Sequence, residues 1–83
     1  MEKDVEFYEV LLRPGASLRS SPHFRGAREL LTVHIGAVRV ASGDDTAELA
    51  AGDSASYPAD LPHAIENPGD TEAVLFLVVH YTD

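Results

Sequence analysis

Turn-forming clusters divide this 83-residue sequence into short segments, and a new cluster follows every eight to twelve residues. The clusters are rich in Gly, Pro, Asn, Asp and Ser, which favour turns because each adopts or presets particular backbone angles. No segment between them has the apolar period of a long helix. This spacing is typical of a sandwich or barrel, and it predicts one all-β domain over residues 1–83 with six to eight antiparallel strands.

The strands are predicted where β-branched, aromatic and other apolar residues lie between two turns. Residues 42–45 are a predicted hairpin turn, and Gly36 and Gly52 allow tight reversals. The predicted strands cover residues 5–12, 18–19, 28–35, 38–41, 46–50, 54–57, 63–66 and 73–81.

Two of these strands are apolar on both faces, at residues 30–35 and 74–79. One face of each can fill the core, and the other has to be covered by a second sheet, a partner subunit or another domain. We expect a homodimer formed through these outer faces, because it would cover the apolar surface and protect the sheet edges.

Charge and composition exclude several classes of function. The net charge is −8, and no Lys or Arg occurs from Val40 onward, so binding of this chain alone to nucleic acid or to a membrane surface is not expected. The absence of cysteine excludes disulfides, zinc–thiolate sites and thiol nucleophiles. Without a long apolar run or the basic-then-apolar start of a secretory signal, the chain is predicted to be cytoplasmic.

The segment from Gly52 to Asn67 contains the most informative spacing. Pro58 and Pro62 stiffen a corner, and His63 follows that corner at the start of a short apolar strand. A histidine in this place is predicted to point into a barrel. This segment resembles the second signature of the cupin superfamily, with the pattern Gly, five residues, Pro, four residues, His, three residues and Asn. It departs from that signature at Asp60, where the family usually has Gly.

A second stretch is similar to the first cupin signature, which is His-x-His, three or four residues, Glu, six residues and Gly. Glu29 and Gly36 have this spacing, and His23 lies six positions before Glu29. The second histidine is missing, and its place falls on Phe24 or Arg25. The resemblance implies a small jelly-roll barrel with a site on its inner surface.

Glu29 has two interpretations, because a carboxylate in an apolar strand is costly to bury unless it is paired or coordinated. It can be a metal ligand together with His23 and His63, a set that suits zinc, iron, manganese or nickel. It can instead be ion-paired to a nearby arginine, which would also weaken cation binding. The candidate arginines are Arg25, Arg28 and Arg39.

A binding pocket is predicted around the same residues, and no catalytic residue is assigned. Tyr57 either lines the mouth of the pocket or packs in the core, and His34 and His80 are expected on the outer surface. An arginine at the opening, Arg25 or Arg28, favours an anionic effector such as a carboxylate. The predicted ligand-binding residues are His23, Arg25, Glu29, Tyr57 and His63.

Nearly the whole chain resembles one branch of the cupins, the C-terminal sensor domain of bacterial helix-turn-helix regulators of the XRE type. The similarity lies in FYEVLLRPGASLRSSPHFRGARE, in ARELLTVHIGAVRV and in AGDSASYPADLPHAIENPGDTEAVLFLVVHY, with His34 as a departure from the usual aliphatic residue. It implies a barrel that binds a small effector and acts on DNA only through a helix-turn-helix domain that this chain lacks. The alternatives are a free-standing metal-dependent cupin enzyme, an oxygenase or isomerase, and a dimerisation module with an empty barrel.

Overall fold

The protein is described by a computed structural model over residues 4–22 and 25–81. Its described part consists of strands and turns, with no helix of the length and hydropathy that crossing a bilayer requires. The eight strands are β1 (Val5–Leu12), β2 (Ser17–Ser20), β3 (Arg28–Ile35), β4 (Ala37–Ser42), β5 (Asp45–Ala50), β6 (Ser54–Pro58), β7 (His63–Glu66) and β8 (Ala73–His80).

The strands form two four-stranded antiparallel sheets, in the orders β1-β8-β3-β6 and β2-β7-β4-β5. Among the described pairs, β4 and β5 alone are neighbours both along the chain and in a sheet. Every other pairing joins strands that are distant in sequence, as in a jelly roll. The predicted all-β barrel is therefore confirmed.

The predicted strands agree with the observed ones except at their ends. Ser42 and Asp45, expected in the hairpin turn, pair with each other as the last residues of β4 and β5. The turn itself consists of Gly43, at φ 56°, and Asp44. Pro58 extends β6 by one residue, which is tolerated because β6 is a sheet edge and needs no outward donor.

The core lies between the sheets and is filled by alternate residues of the long strands. In β3 and β8 every second side chain is buried, among them Leu31, Val33, Leu75 and Leu77. Directly opposite residues of antiparallel strands point to the same side, so the register carries this alternation across the sheet.

The two outer faces differ in chemistry. On the β2-β7-β4-β5 sheet the outer face carries the ion pairs Arg19–Glu66 and Arg39–Glu48. On the β1-β8-β3-β6 sheet it is largely apolar, and we call that surface the outer apolar face. It comprises Val5, Phe7, Leu11, Leu30, Ile35, Val74, Phe76 and Val78.

Candidate functional site

A chain of three hydrogen-bonded side chains crosses the interior of the barrel. The Tyr57 hydroxyl donates to Glu29 Oε1 at 2.6 Å, and His63 Nε2 lies 2.9 Å from Glu29 Oε2. All three residues are buried, with exposed fractions of 7% for Tyr57, 3% for Glu29 and 5% for His63. Both carboxylate oxygens of Glu29 are therefore satisfied within the protein.

The fold brings these residues together from both sheets. Glu29 lies on the inward face of β3 with Leu31, and Tyr57 is its direct partner across the β3–β6 pair. His63 is the first residue of β7 in the other sheet. The hydrogen bond from Glu29 to His63 thus joins the two sheets, as well as two positions 34 residues apart in sequence.

The corner before β7 fixes the orientation of the His63 ring. Its Nδ1 lies 2.7 Å from the carbonyl oxygen of Leu61, so Nδ1 carries a hydrogen and donates it. Nε2 consequently faces Glu29 Oε2 across the interior of the barrel.

Tyr57 remains a neutral donor over the whole physiological range. Burial raises the pKa of its phenol far above the usual value, and its hydrogen bond to the Glu29 carboxylate raises it further. Tyr57 therefore packs in the core and also supplies a permanent hydrogen bond to the site, so the core interpretation of this residue is confirmed.

A cavity of about 490 Å³ opens beside Glu29. It lies where the edge strands β1 and β2 come together, and we call it the entrance cavity. Its apolar walls include Leu18, Leu77 and Val79, while Glu6, Tyr8 and Glu29 supply polar groups. A smaller space of about 200 Å³ lies on the other side of Tyr57, between β5 and β6.

The structure brings together three of the predicted site residues: Glu29, Tyr57 and His63. His23 lies outside the described residues, so its predicted place in the site stays a prediction. Arg25 is exposed in the turn before β3 and does not line the entrance cavity.

The arginine partner that the second interpretation gave to Glu29 is not found: within the described ranges no ion pair joins Glu29 to Arg25, Arg28 or Arg39. Arg28 points to the face of β3 opposite Glu29 and donates to Ser56 at 3.3 Å. It does not line the entrance cavity, but with Glu29 it lines a separate space of about 260 Å³. Arg39 pairs instead with Glu48 at 2.9 Å on the outer face of the other sheet. Strand alternation separates each of these arginines from the interior.

Sequence reasoning missed the contribution of β1 to the site. Glu6 and Tyr8 lie opposite Val79 and Leu77 and share their inward side. Tyr81, just after β8, donates to Glu6 at 2.8 Å. Period-two alternation within residues 5–12 was the available signal, but the register with β8 was needed to show which half points inward.

Two other signature positions have structural roles. The Asn67 amide donates to the carbonyl oxygens of Leu12 and Thr71, and its Oδ1 accepts from Gly69, so it ties three chain segments together. Asp60, at the place where the family usually has Gly, accepts a hydrogen bond from the backbone amide of Gly26 at 3.0 Å. This carboxylate anchors the start of β3 to the corner that presents His63.

Within the described residues, only two of the side chains that could bind a metal ion lie close together in the site. His63 Nε2 and Glu29 Oε2 converge, and the tether of Nδ1 to a backbone carbonyl is the arrangement that metal-binding histidines commonly have. No group of three or more candidate ligands occurs in the described ranges, whereas catalytic zinc sites use three protein ligands. A metal would be held here by His63 and Glu29 and would need a further ligand from elsewhere.

Solved structures show similar folds. A Cupin_2 domain of an XRE family transcriptional regulator from Enterobacter cloacae superposes with a TM-score of 0.89, at 24% identity over 96% of this chain and 84% of that one. An HTH_3 family transcriptional regulator from Vibrio cholerae gives the same TM-score at 28% identity, over 96% of this chain and 44% of that one. The chain thus spans less than half of the Vibrio protein.

A Cupin 2 conserved barrel domain protein from Salinispora arenicola also matches, with a TM-score of 0.75 and 22% identity over 96% of this chain and 66% of that one. No curated protein sequence matches the chain significantly. The sequence profile of the Cupin_2 family, described as a cupin domain, matches residues 8–80. The chain therefore belongs to the Cupin_2 family.

Proposed function

We propose that this chain is the small-molecule-binding sensor domain of a bacterial helix-turn-helix transcriptional regulator, acting in the cytoplasm. The observation that carries the proposal is the match over 96% of the chain to part of the Vibrio HTH_3 regulator, with a TM-score of 0.89. The effector site is the entrance cavity, with Glu29 on its wall and Tyr57 and His63 behind Glu29. Contact with DNA is left to a helix-turn-helix domain outside these 83 residues, consistent with the net charge of −8.

The buried hydrogen bonds offer a route from effector to protein shape. Glu29 lines the entrance cavity and is bonded to residues of both sheets, so an effector that contacts this wall acts where the sheets are joined. A signal requires an effector that binds one arrangement of the domain more tightly than another.

The proposal includes a homodimer formed through the outer apolar face. Phe7 on this face is 67% exposed, and its ring stacks on Phe76 with 6.0 Å between centroids. Strands β1, β8 and β3 are each about 26 Å long, β6 is about 17 Å long, and neighbours lie about 4.8 Å apart, so this sheet face offers about 450 Å². Two such faces bury about 900 Å² in total, just below the roughly 1,000 Å² expected of a specific interface, so the proposed dimer is a weak one.

A metal-dependent cupin enzyme, an oxygenase or isomerase, is the second candidate. It is favoured by the convergence of His63 Nε2 and Glu29 Oε2, with the other ring nitrogen tethered to Leu61. This function needs a third ligand, for which His23 is the residue predicted from sequence.

Ligand screening tests the sensor function. Thermal-shift measurements on the 83-residue chain against amines, amino acids and organic acids should reveal a compound that stabilises it by mass action. At a hundredfold excess over Kd, the expected rise in melting temperature is on the order of 10 °C for a domain of this size. If no class of compound shifts the transition, the effector role is rejected.

Two further measurements separate the candidate functions. Stoichiometric iron, manganese, nickel or zinc in protein purified without an affinity tag, lost in His63→Ala, would support the enzyme. A helix-turn-helix encoded in the same reading frame upstream of Met1 would support the regulator, and a stop codon there would count against it.

A further inference from the structure

A carboxylate flanked by two phenols lies at the rim of the entrance cavity. Glu6 accepts a hydrogen bond from Tyr81 at 2.8 Å, and this bond, with smaller contributions from burial and charge, raises the pKa of Tyr81 to about 12. Hydrogen bonding to Glu6 is also the main cause of a raised pKa at Tyr8. Both phenols are therefore neutral at physiological pH, and Glu6 is the charged group between them.

The remaining charge around the cavity does not oppose Glu6. The ionisable side chains among the described lining residues are glutamates and one tyrosine, with no Arg or Lys. The two oxygens of Glu29 are hydrogen-bonded to Tyr57 and His63, so this carboxyl group is already engaged within the protein. The arginines that the sequence placed near the opening, Arg25 and Arg28, do not line it.

The walls suit an alkyl group. Leu18 from β2 and Leu77 and Val79 from β8 form an apolar surface that leads from the rim to Glu29. A ligand that follows this surface has an apolar body, and its polar end meets Glu6 and Tyr8, with Tyr81 hydrogen-bonded to Glu6 beside them. Carboxylates and aromatic rings together are the groups that stabilise an ammonium ion.

We propose that the entrance cavity selects an organic ammonium ion, with its charged nitrogen at Glu6 between Tyr8 and Tyr81 and its alkyl chain against Leu18, Leu77 and Val79. The inference rests on the proposed sensor function and specifies the class of its effector. It replaces the anionic effector that the sequence favoured, because the described residues that line the cavity include three glutamates, Glu6, Glu9 and Glu29, and no cationic side chain.

Matched ligands test the proposed class directly. Alkylamines of two to six carbons are titrated into the 83-residue chain at pH 7, beside the carboxylates and alcohols of equal length, with binding followed by calorimetry and by NMR shifts of the rim residues. We expect at least one amine to bind with a Kd about tenfold or more below those of its carboxylate and alcohol analogues.

Charge removal at one position then tests the mode of binding. Glu6→Gln keeps the shape of an exposed side chain. It should weaken amine binding about tenfold and leave the affinity for the alcohol unchanged. As a control, Glu72→Gln removes the same charge at the opposite end of β8, and it should change the affinity for neither the amine nor the alcohol.

Three outcomes would overturn the inference: tighter binding of a carboxylate than of its amine, equal binding of all three classes, and amine binding that is insensitive to Glu6→Gln. In each case a bound ligand would still support a sensor. Failure of every compound, in this series and in the wider thermal-shift panel, would reject the sensor function itself.

Discussion

Glu29 is the side chain whose burial most needs a physical explanation. The transfer of an isolated carboxylate from water to a protein interior costs about 20 kcal/mol in the idealised case, and several kcal/mol after the protein and solvent relax. Here Tyr57 donates to one oxygen, and His63 Nε2 is hydrogen-bonded to the other. Both oxygens are consequently bonded within the protein, and removal of either partner should destabilise the fold.

The hydroxyl of Tyr57 provides the most selective test of these hydrogen bonds. Tyr57→Phe keeps the ring but leaves Glu29 Oε1 without its donor, and we expect a loss of about 1–3 kcal/mol in the free energy of unfolding in urea. Tyr81→Phe removes a hydroxyl that bonds to the exposed Glu6 and should cost clearly less. Equal losses in the two variants would show that Glu29 does not depend on Tyr57.

Alkaline titration tests all three tyrosines together. Each has a raised pKa in the folded protein, with Tyr81 at about 12 and Tyr57 higher because of burial. A phenol with a raised folded pKa holds its proton more tightly in the folded state, so its stabilisation is full below about pH 10 and is lost as the pH rises above that value.

The expected absorbance at 295 nm therefore differs between the folded and unfolded chains. At pH 10 the folded protein should show little tyrosinate, whereas the chain in concentrated urea should be about half ionised. Stability in urea should fall as the pH rises from 10 to 12. Coincident titration curves for the two states would contradict the hydrogen bonds assigned to Glu6 and Glu29.

Among the elements, the β3–β4 connection is the most tightly constrained. Gly36 has φ 81°, and a Cβ at this position would lie 2.7 Å from the Glu72 carbonyl oxygen and 3.1 Å from Ala73 Cα. Both neighbours are backbone atoms and cannot rotate away. The signature glycine thus lets β3 reverse into the other sheet while it passes directly against the start of β8.

Two glycines with the same backbone angle separate conformational strain from steric clash. Gly15, at φ 78°, has no atom within 4 Å of an added Cβ, so Gly15→Ala should cost about 1–2 kcal/mol for the left-handed conformation alone. Gly36→Ala should cost about 1–3 kcal/mol more, because of overpacking. Urea unfolding of both variants measures the difference, and equal losses would exclude the clash.

For the molecule as a whole, the outer apolar face is the surface through which we propose that the dimer forms. Five of its eight side chains, on β1 and β3, are large and exposed, which is unusual for a surface in contact with water. The other sheet covers its outer face with ion pairs, so the two sides of the molecule favour different surroundings.

Phe7→Ser should shift the protein from dimer to monomer, because it removes the most exposed aromatic ring of the face. Light scattering after size exclusion, at several concentrations, measures the change. Leu61→Ser removes a large exposed side chain outside the face and should leave the dimer intact. A wild-type chain that is monomeric at high concentration would disprove the dimer.

The fold could be predicted from sequence because its signals are local. Turn residues every eight to twelve positions, together with the spacing from Gly52 to Asn67, specified an all-β barrel, and all eight strands have the predicted ends to within one residue at each end. His63 was predicted to point inward from the stiff corner at Pro58 and Pro62 and from the cupin resemblance, and the same resemblance made Glu29 a candidate for the inner surface.

The partners of those residues depend on which strands become neighbours, and that information is not local. The β3–β6 pair places Tyr57 opposite Glu29, and the β1–β8 pair brings Glu6 and Tyr8 to the entrance cavity. Arg28 was expected beside the site but faces outward, since one step along a strand reverses the direction of a side chain. Strand periodicity therefore specified which residues alternate, while packing of the two sheets selected the side that forms the interior.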